Sequence, residues 1–348
     1  MMGLLQTTDE QAPHAPEGTG GSAPARKATP ILKVLGLTVG LGAILVVLLM
    51  VFIMPSLKSG PHNLPVGIVG TAAETAAWEE GFDSAVPGGF VATAFGSEEE
   101  LRTAISKREI VGGLVVAESH VSVLTASAGS AAISSTLSST ATALAAQAGA
   151  DVTVTDVVPL PKSDPTGIGI GGLAFPLVFG GIVPAVAFRK FFPKSLAWTV
   201  AGIVTFAVVG GVSVAAVLMF VFGSISGAFW PVAAAMALGI AALALPLAGL
   251  AEALGGKGFT VGAMVMMFLG NPLAGISTSA AWLPSGLGML GQILPPGAAG
   301  TLVRSAAYFG GAGGLAAGLT LGAWALGGLV LLAIGQRRAA RAPQAVTA

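Results

Sequence analysis

The sequence predicts a polytopic α-helical membrane protein, with six transmembrane helices and an α/β extracytoplasmic domain inserted between spans 1 and 2. Hydrophobic residues make up 54% of the chain and charged residues only 9%, whereas a soluble domain carries about 25% charged residues. Long uncharged apolar runs recur through the second half. Between the first two such runs lie short β-branched segments, which are typical of a domain folded in water.

The charge distribution and the absence of cysteine restrict the available chemistry. The formal net charge is zero, but Glu252 is the only acid after Asp164, so the second half is predicted to be the membrane body. The chain has no cysteine, which excludes a disulfide framework, a thiol nucleophile and a thiolate metal site. Any domain outside the membrane must therefore be held together by its core alone.

The N-terminal part predicts a tail followed by a first membrane span. Residues 1–30 are rich in Pro, Gly, Ser and Thr, which predicts a disordered cytoplasmic tail. Residues 31–54 form the first predicted transmembrane helix, in which Val34–Met54 gives 21 uncharged residues. A cleaved signal peptide is the alternative. It is disfavoured because the run is long, a polar segment precedes it, and Pro55-Ser56-Leu57 is not a small-x-small site.

Residues 55–165 are predicted to form the extracytoplasmic α/β domain, in the order strand-helix-strand-helix-strand-strand-helix-strand. This segment carries twelve acids and five bases, a net charge of −7. Ala128–Ala148 predicts either a weakly amphipathic helix, which we favour, or a flexible connector. The predicted strands are Leu64–Val69, Phe90–Phe95, Ile110–Val116, His120–Thr125 and Val152–Val158.

Local signals in this domain predict one helix start and one turn. Ser97 precedes Glu98, Glu99 and Glu100, so its hydroxyl can cap a helix and Glu100 can complete a capping box. The three acids are read as a helix start and not as a catalytic group. Glu118-Ser119 predicts a tight turn between two strands.

Residues 166–336 are predicted to form a five-helix membrane domain, followed by a cytoplasmic tail at 337–348. Its apolar segments are long enough to span a bilayer: Gly167–Phe188, Leu196–Phe222, Pro231–Leu250, Phe259–Ala280 and Gly314–Gly335. Basic residues lie in alternate connections, which predicts cytoplasmic termini and an external acidic domain. They are Arg26, Lys27 and Lys33; Arg189, Lys190 and Lys194; Lys257; and Arg337, Arg338 and Arg341.

The predicted spans contain almost no ionisable residue, which argues against a carrier coupled to protons or sodium. Glu252 and Lys257 flank a short turn, which predicts a solvated cytoplasmic loop, with contact to a cytoplasmic partner as the alternative. A stripe of Gly310, Gly314, Gly318 and Gly322 predicts close helix packing, either within the chain or between subunits. Prolines within apolar segments predict kinks or helix ends; they are Pro176, Pro184, Pro246 and Pro272.

A broken apolar segment, residues 281–309, precedes the last predicted span. Prolines and glycines interrupt it, so two short re-entrant pieces are predicted instead of one spanning helix. Pro284, Pro295 and Pro296 are among the breaking residues. Arg304 lies in the return limb, where it is expected either to snorkel to lipid headgroups or to face an exit path or anionic substrate group.

Motifs for catalysis and cofactor binding are missing from the sequence. No GxxxxGK[ST] sequence occurs, so ATP must be hydrolysed by another chain if it is used. No GxSxG nucleophile elbow is present. His14, His62 and His120 are isolated in the sequence, without partners at metal-ligand spacing, and His120 is expected at the edge of a strand. The sequence therefore predicts no catalytic, cofactor or metal site, and no enzyme.

The assembled plan resembles the permeases of type-2 ABC exporters, especially the phage-infection-protein-like group with a large extracytoplasmic insert after the first helix. The resemblance rests on the single first span, on the insert with LPVGIVG at Leu64–Gly70 and GGLVV at Gly112–Val116, and on five later spans. The most telling stretch is Gly270–Gly311, where an Asn-Pro-Leu motif, a proline-containing hairpin and a basic position match the family. The matching residues are Asn271, Pro272, Leu273, Pro284, Pro295, Pro296 and Arg304.

This resemblance implies a dimer of permeases, identical or not, in a bacterial plasma membrane, with a separate cytoplasmic ABC ATPase and no nucleic-acid partner. It implies export of lipids, drugs or envelope precursors, with the substrate path near Asn271 to Arg304. Family members usually carry a cytoplasmic coupling helix, whereas the loops Arg189–Lys194 and Leu254–Gly258 are very short. The alternative function is a non-transporting envelope protein whose outer domain binds a partner or ligand.

Overall fold

The computed structural model describes residues 30–193 and 195–341. Residues 1–29 and 342–348, which make up most of the predicted tails 1–30 and 337–348, lie outside these residues, as does Lys194; His14, Arg26 and Lys27 belong to the first of them. Residues 337–341, predicted as tail, continue the last helix. The described residues divide into two compact units at the boundary between Val47 and Leu48. Within the described ranges, five helical segments are long and apolar enough to cross a membrane: Pro30–Leu57, Ile168–Phe191, Leu196–Val221, Phe229–Gly270 and Leu315–Arg338. They are compatible with a multi-pass membrane protein.

A five-stranded mixed sheet follows the first helix, α1 (Pro30–Leu57), and confirms the predicted order of elements. Its strand order is β2-β1-β3-β4-β5, and only the β3–β4 pair is antiparallel. The strands are β1 (Leu64–Val69), β2 (Phe90–Phe95), β3 (Gly112–Ala117), β4 (His120–Thr125) and β5 (Asp151–Asp156). The predicted turn at Glu118-Ser119 connects β3 to β4, and His120 begins β4 as expected.

Three helices cover the two faces of this sheet. They are α2 (Ala72–Ala85), α3 (Glu98–Ser106) and α4 (Ala131–Ala148). Phe82 of α2 and Leu137 of α4 share one buried cluster, whereas Leu101 and Ile105 of α3 are buried on the other face. Helix α4 confirms the favoured prediction for this segment, and Ser130 caps its first turn through the backbone N–H of Ile133.

The predicted capping box at α3 is only half correct. Ser97 accepts a hydrogen bond from the backbone N–H of Glu100, as expected. The Glu100 carboxylate, however, accepts from the N–H of Gly96 instead of Ser97. A full capping box occurs at α2, between Thr71 and Glu74, and the Glu74 carboxylate has a lowered pKa because the Thr71 N–H donates to it.

Apolar helices make up most of the remaining chain. A short helix, α5 (Ile168–Gly171), leads into α6 (Ala174–Phe191), and α7 (Leu196–Ala216) ends in a π-helical turn at Val217–Val221. Helix α8 (Phe229–Met264) continues into a second π-helical turn at Val265–Gly270. The helical hydrogen bonding ends there because Pro272 has no N–H to donate. The predicted fifth span, Phe259–Ala280, was therefore too long at its C-terminal end.

Helix α8 is interrupted at Gly255. This residue has φ 70° and ψ −162°, a backbone conformation that residues with a Cβ rarely adopt. Beyond it the chain folds back on itself, since a Cβ at Gly258 would touch Leu250, and one at Gly262 would touch Leu247 and Leu250. The 42-residue segment therefore consists of two antiparallel limbs.

Helix α11 (Leu315–Arg341) packs closely against the first limb of α8, but not through the predicted glycine stripe. Gly310 and Gly314 precede the helix. A Cβ at Gly318 would have ordinary contact with Leu302, and one at Gly322 would meet open space. The tight contact instead uses Gly328, where a Cβ would meet the backbone of Leu245 and Pro246. Within the chain, Gly314 is the closely packed member of the stripe, because a Cβ there would meet the Ser305 hydroxyl and Leu302, whereas one at Gly310 would meet open space. The stripe therefore faces Leu302 at Gly314 and Gly318 instead of α8, since spacing alone does not identify the facing helix.

The loop predicted between Glu252 and Lys257 is solvent-exposed at residues 254–257, as expected, whereas Glu252 is part of a packed interface. Its carboxylate accepts from Arg189 at 3.1 Å, and both side chains are about one-third exposed or less. Arg189 also donates to the backbone carbonyl of Ala251, and a Cβ at Gly335 would meet Glu252. These contacts link the end of α6 to α8.

The broken segment before α11 contains a 3-10 turn at Ala280–Trp282 and two short helices, α9 (Leu287–Ile293) and α10 (Pro295–Tyr308). The two short pieces match the prediction. They pack against the preceding chain at very short range, because a Cβ at Gly291 would overlap the carbonyl oxygen of Leu273. Only glycine permits this approach of α9 to the backbone.

Candidate functional site

Arg304 joins the α/β domain to the broken segment. Its Nη1 donates to the backbone carbonyls of Gly129, at 2.6 Å, and Thr278, at 2.7 Å. Its Nη2 donates to the carbonyl of Ile276. Gly129 belongs to the α/β domain, just before α4, so one side chain bridges segments that are distant in sequence.

The position of Arg304 follows from the start of α10. Pro295 and Pro296 occupy its first turn, where the missing N–H groups cost no helical hydrogen bond. The helix buries Val303, Arg304 and Ser305. Arg304 is only 8% exposed, and its guanidinium is directed at protein carbonyls, so the prediction that it snorkels to headgroups was wrong.

The contact between the α/β domain and the broken segment around Arg304 is called the junction here. Arg108 lies on its domain side. It follows α3 with a positive φ of 61°, which is uncommon for a residue with a side chain. Its guanidinium stacks over the ring of Phe309, 5.0 Å from the centroid, which is within cation–π range. Phe309 itself is buried in the same cluster as Leu101 and Ile105, so the end of α10 contributes to the core of the α/β domain.

Two cavities of about 230 Å³ lie beside Arg108, and one of them also borders Arg304. The first, which we call the junction cavity, is bounded by Arg108, Arg304 and polar groups of the broken segment. Among these, Thr301 donates to the side-chain oxygen of Gln292 at 2.6 Å. The second cavity lies beside Arg108 and Gly129, against the α/β domain. Because both cavities also border Ser279, they adjoin each other around Arg108.

The junction is electropositive. Burial lowers the pKa of Arg108. Burial, and next the nearby positive charge of Arg108, lowers the pKa of Arg304 to about 10. Among the described residues, the ion pairs are Arg102–Glu98 and Arg189–Glu252, so neither junction arginine has a carboxylate partner there. The Nη1 atom of Arg108 is buried without a hydrogen-bond partner.

A larger apolar cavity, about 580 Å³, lies between the start of α6 and the end of α7. Leu173, Pro176 and Val214 are among its apolar lining residues, and Asp164 and Ser224 are among its polar ones. The Asp164 carboxylate accepts from the backbone N–H groups of Ile168 and Gly169 at 2.8 Å.

No sequence pattern predicted a site at this cavity. One available signal was the position of Asp164, the last acid before a long acid-free stretch. The lining also depends on the pairing of distant helices, which the sequence does not show. Next to the cavity, Tyr308 donates to the carbonyl of Ser224 at 2.8 Å, and burial raises the pKa of Tyr308 to about 12.

The predicted path residues do not form one site. Asn271 and Pro272 line a fourth cavity, about 440 Å³, together with Ser56 of α1, where Phe52 packs edge-on to Phe268. Arg304 lines the junction cavity instead. Pro295 and Pro296 are buried in the first turn of α10, and Pro284 precedes α9.

Within residues 30–193 and 195–341, no three His, Asp or Glu side chains lie together as a metal site. Glu98, Glu99 and Glu100 form the first turn of α3, as the sequence predicts.

Comparisons with known proteins do not assign this arrangement to a family. No family model, curated protein or solved structure matches the chain.

Proposed function

We propose that this chain is the membrane permease subunit of an ABC-type exporter that moves a lipid, drug or envelope-related substrate. ATP would be hydrolysed by a separate cytoplasmic chain, because the sequence has no P-loop. The observation that carries the proposal is the Arg304–Gly129 contact, which couples an outer domain to a broken segment beside several cavities. Such a contact can transmit movement between an exit path and the domain above it.

Six membrane crossings, with both termini in the cytoplasm, are part of this proposal. The fold-back at Gly255 supports counting the 42-residue segment as two crossings, which adds one to the five long helices. The outer domain would then lie outside a bacterial plasma membrane. The hydrogen bond from Ser163 to the carbonyl of Gly223, 2.6 Å long, supports an external position for the α7–α8 connection as well.

The apolar cavity supports an amphiphilic substrate. Ligand sites are usually concave and mostly apolar, with a few polar groups that orient the ligand. The cavity between α6 and α7 fits this description, since Asp164 and Ser224 are polar groups in an otherwise apolar lining. An acyl chain or an apolar drug would occupy the apolar wall.

Affinity purification in a mild detergent tests the class of protein. The exporter proposal expects an ABC ATPase to co-purify, with ATP hydrolysis that depends on its own P-loop lysine. A second test deletes residues 64–158, after which membrane insertion should persist and export should be lost. Absence of any ATPase, with a different protein bound to the outer domain, would favour the non-transporting envelope protein.

A further inference from the structure

The junction cavity contains two arginines that lack an anionic partner. Arg108 and Arg304 both border it, and the described ion pairs involve neither of them. Two like charges near each other in a partly buried site repel, and each loses hydration. A cavity of this kind is stabilised when an anion enters it, because the anion supplies the missing countercharge.

Hydrogen-bond donors remain available in this cavity. Three of the five N–H groups of Arg304 donate to carbonyls, so its Nε–H and one Nη2–H are left over. Arg108 has a buried Nη1 without a partner. The Ser279 hydroxyl accepts from the N–H of Ala281, and its proton is available to donate. These groups come from three separate parts of the chain.

We propose that the junction cavity binds a phosphate group through the guanidinium groups of Arg108 and Arg304. Arginine is suited to this because its planar N–H groups bind phosphate oxygens in pairs. Donors that come from several directions fit a tetrahedral oxyanion. At about 230 Å³, the cavity has room for a phosphate group with water, given that one water occupies about 30 Å³.

The phosphate group can belong to an anionic lipid headgroup or to a free phosphate compound. The proposal does not rest on transport activity, because it concerns only binding at the junction. It also explains the unusual backbone at Arg108, since a positive φ costs stability. The resulting orientation of the guanidinium, over Phe309 and beside the cavity, would compensate for that cost when the anion is bound.

Thermal unfolding of the full-length protein tests the proposal. The protein is purified in an uncharged detergent and phosphate-free buffer. Inorganic phosphate is then titrated at constant ionic strength, with chloride as the reference. In a parallel series, phosphatidylglycerol or phosphatidylcholine is added to the micelles. We expect a saturable rise in the unfolding temperature with phosphate, phosphatidylglycerol or both, and the active arm identifies the source of the phosphate group.

The decisive variant is Arg108→Gln, with Lys107→Gln as its matched control on the exposed neighbouring residue. Arg108→Gln should weaken anion binding about tenfold or more, whereas Lys107→Gln should bind like the wild type. Without anion, Arg108→Gln should unfold at a higher temperature than the wild type, because a poorly compensated buried charge is gone. A purely structural cation–π role predicts the opposite change.

Two results would overturn the proposal. One is that neither phosphate nor phosphatidylglycerol raises the unfolding temperature more than its reference. The other is that Arg108→Gln keeps the full anion response. If Arg304→Lys preserves the fold but also loses the response, the paired guanidinium groups are supported as the binding element.

Discussion

Arg304 is the residue whose contacts differ most from what its position in the sequence indicates. A single charge in an apolar, proline-broken segment would ordinarily be assigned to the membrane surface. Instead, its guanidinium bonds to the carbonyls of Gly129, Thr278 and Ile276. Buried carbonyl oxygens need partners, and a guanidinium can satisfy several of them from one helix.

Replacing Arg304 should destabilise the protein despite the cost of burying its charge. Each hydrogen bond to a charged group contributes about 1.5–3 kcal/mol. The lowering of the Arg304 pKa to about 10 corresponds to roughly 3 kcal/mol. The three bonds outweigh that cost, so Arg304→Met should lower the free energy of unfolding by about 2 kcal/mol or more.

Equilibrium unfolding in detergent measures this effect, with Arg102→Met as the control. Arg102 forms an exposed i,i+4 pair with Glu98, so the control should stay within about 1 kcal/mol of the wild type. Equal stability of Arg304→Met and the wild type would mean that the three carbonyls find other partners.

Residue-level predictions succeeded where the cause is local. The Ser97 cap depends on residues within one turn, and it was found as expected. The partner of Glu100 differed by one residue, because Gly96 and Ser97 both offer an N–H at similar range. The Arg304–Gly129 contact joins residues 175 positions apart, and no pattern in one sequence specifies such a pair.

At the level of elements, the close contact between α8 and α11 is the most specific packing in the apolar part of the chain. Gly328 faces the backbone of Leu245 and Pro246, and Gly249 of α8 faces the carbonyl of Gly328. Small residues permit this approach in membrane helices because packing replaces the missing hydrophobic driving force.

Neighbouring glycines of α11 provide a matched test of this packing. At Gly328→Ala the added methyl group meets backbone atoms of α8, so the helices must separate, at a cost of about 1–3 kcal/mol. At Gly327→Ala it meets open space, and stability should rise by up to about 1 kcal/mol because alanine favours helix. Thermal unfolding of both variants measures the difference. Equal stabilities would contradict the tight packing.

The elements of the α/β domain were predictable because its strands alternate with polar helices. Three strands have the predicted bounds, and the other two differ by one or two residues at their ends. The glycine stripe was not predictable in the same way. Regular spacing identifies a smooth face, but the partner of that face depends on the tertiary arrangement, and Gly318 and Gly322 remain candidates for a subunit contact.

For the whole molecule, the cysteine-free sequence permits a direct test of topology. Single cysteines at the exposed positions Gly227, Gly256 and Ser285 can be labelled with a membrane-impermeant maleimide. With six crossings, Gly227→Cys and Ser285→Cys should react in intact cells, and Gly256→Cys only after permeabilisation. A wild-type sample supplies the unlabelled control.

Opposite behaviour of Gly227→Cys and Ser285→Cys would show that the segment between them crosses only once. The charged stretch around Glu252 and Lys257 predicted a turn, and the fold-back at Gly255 lies within it. The sequence did not anticipate that Glu252 would pair with Arg189, because that pairing requires α6 and α8 to be adjacent.

The fold-back at Gly255 bears on whether the number of membrane crossings in the 42-residue segment is odd or even. The first limb of the segment packs against α10 at Gly239, where a Cβ would touch Ala299. The second limb packs against the same helix at Gly270, where a Cβ would touch Pro296. Points on the two limbs at similar distances from Gly255 therefore lie near the same helix. Under the proposed six-crossing topology, the fold-back returns the chain to the side from which it came, so one glycine decides on which side the last helix begins.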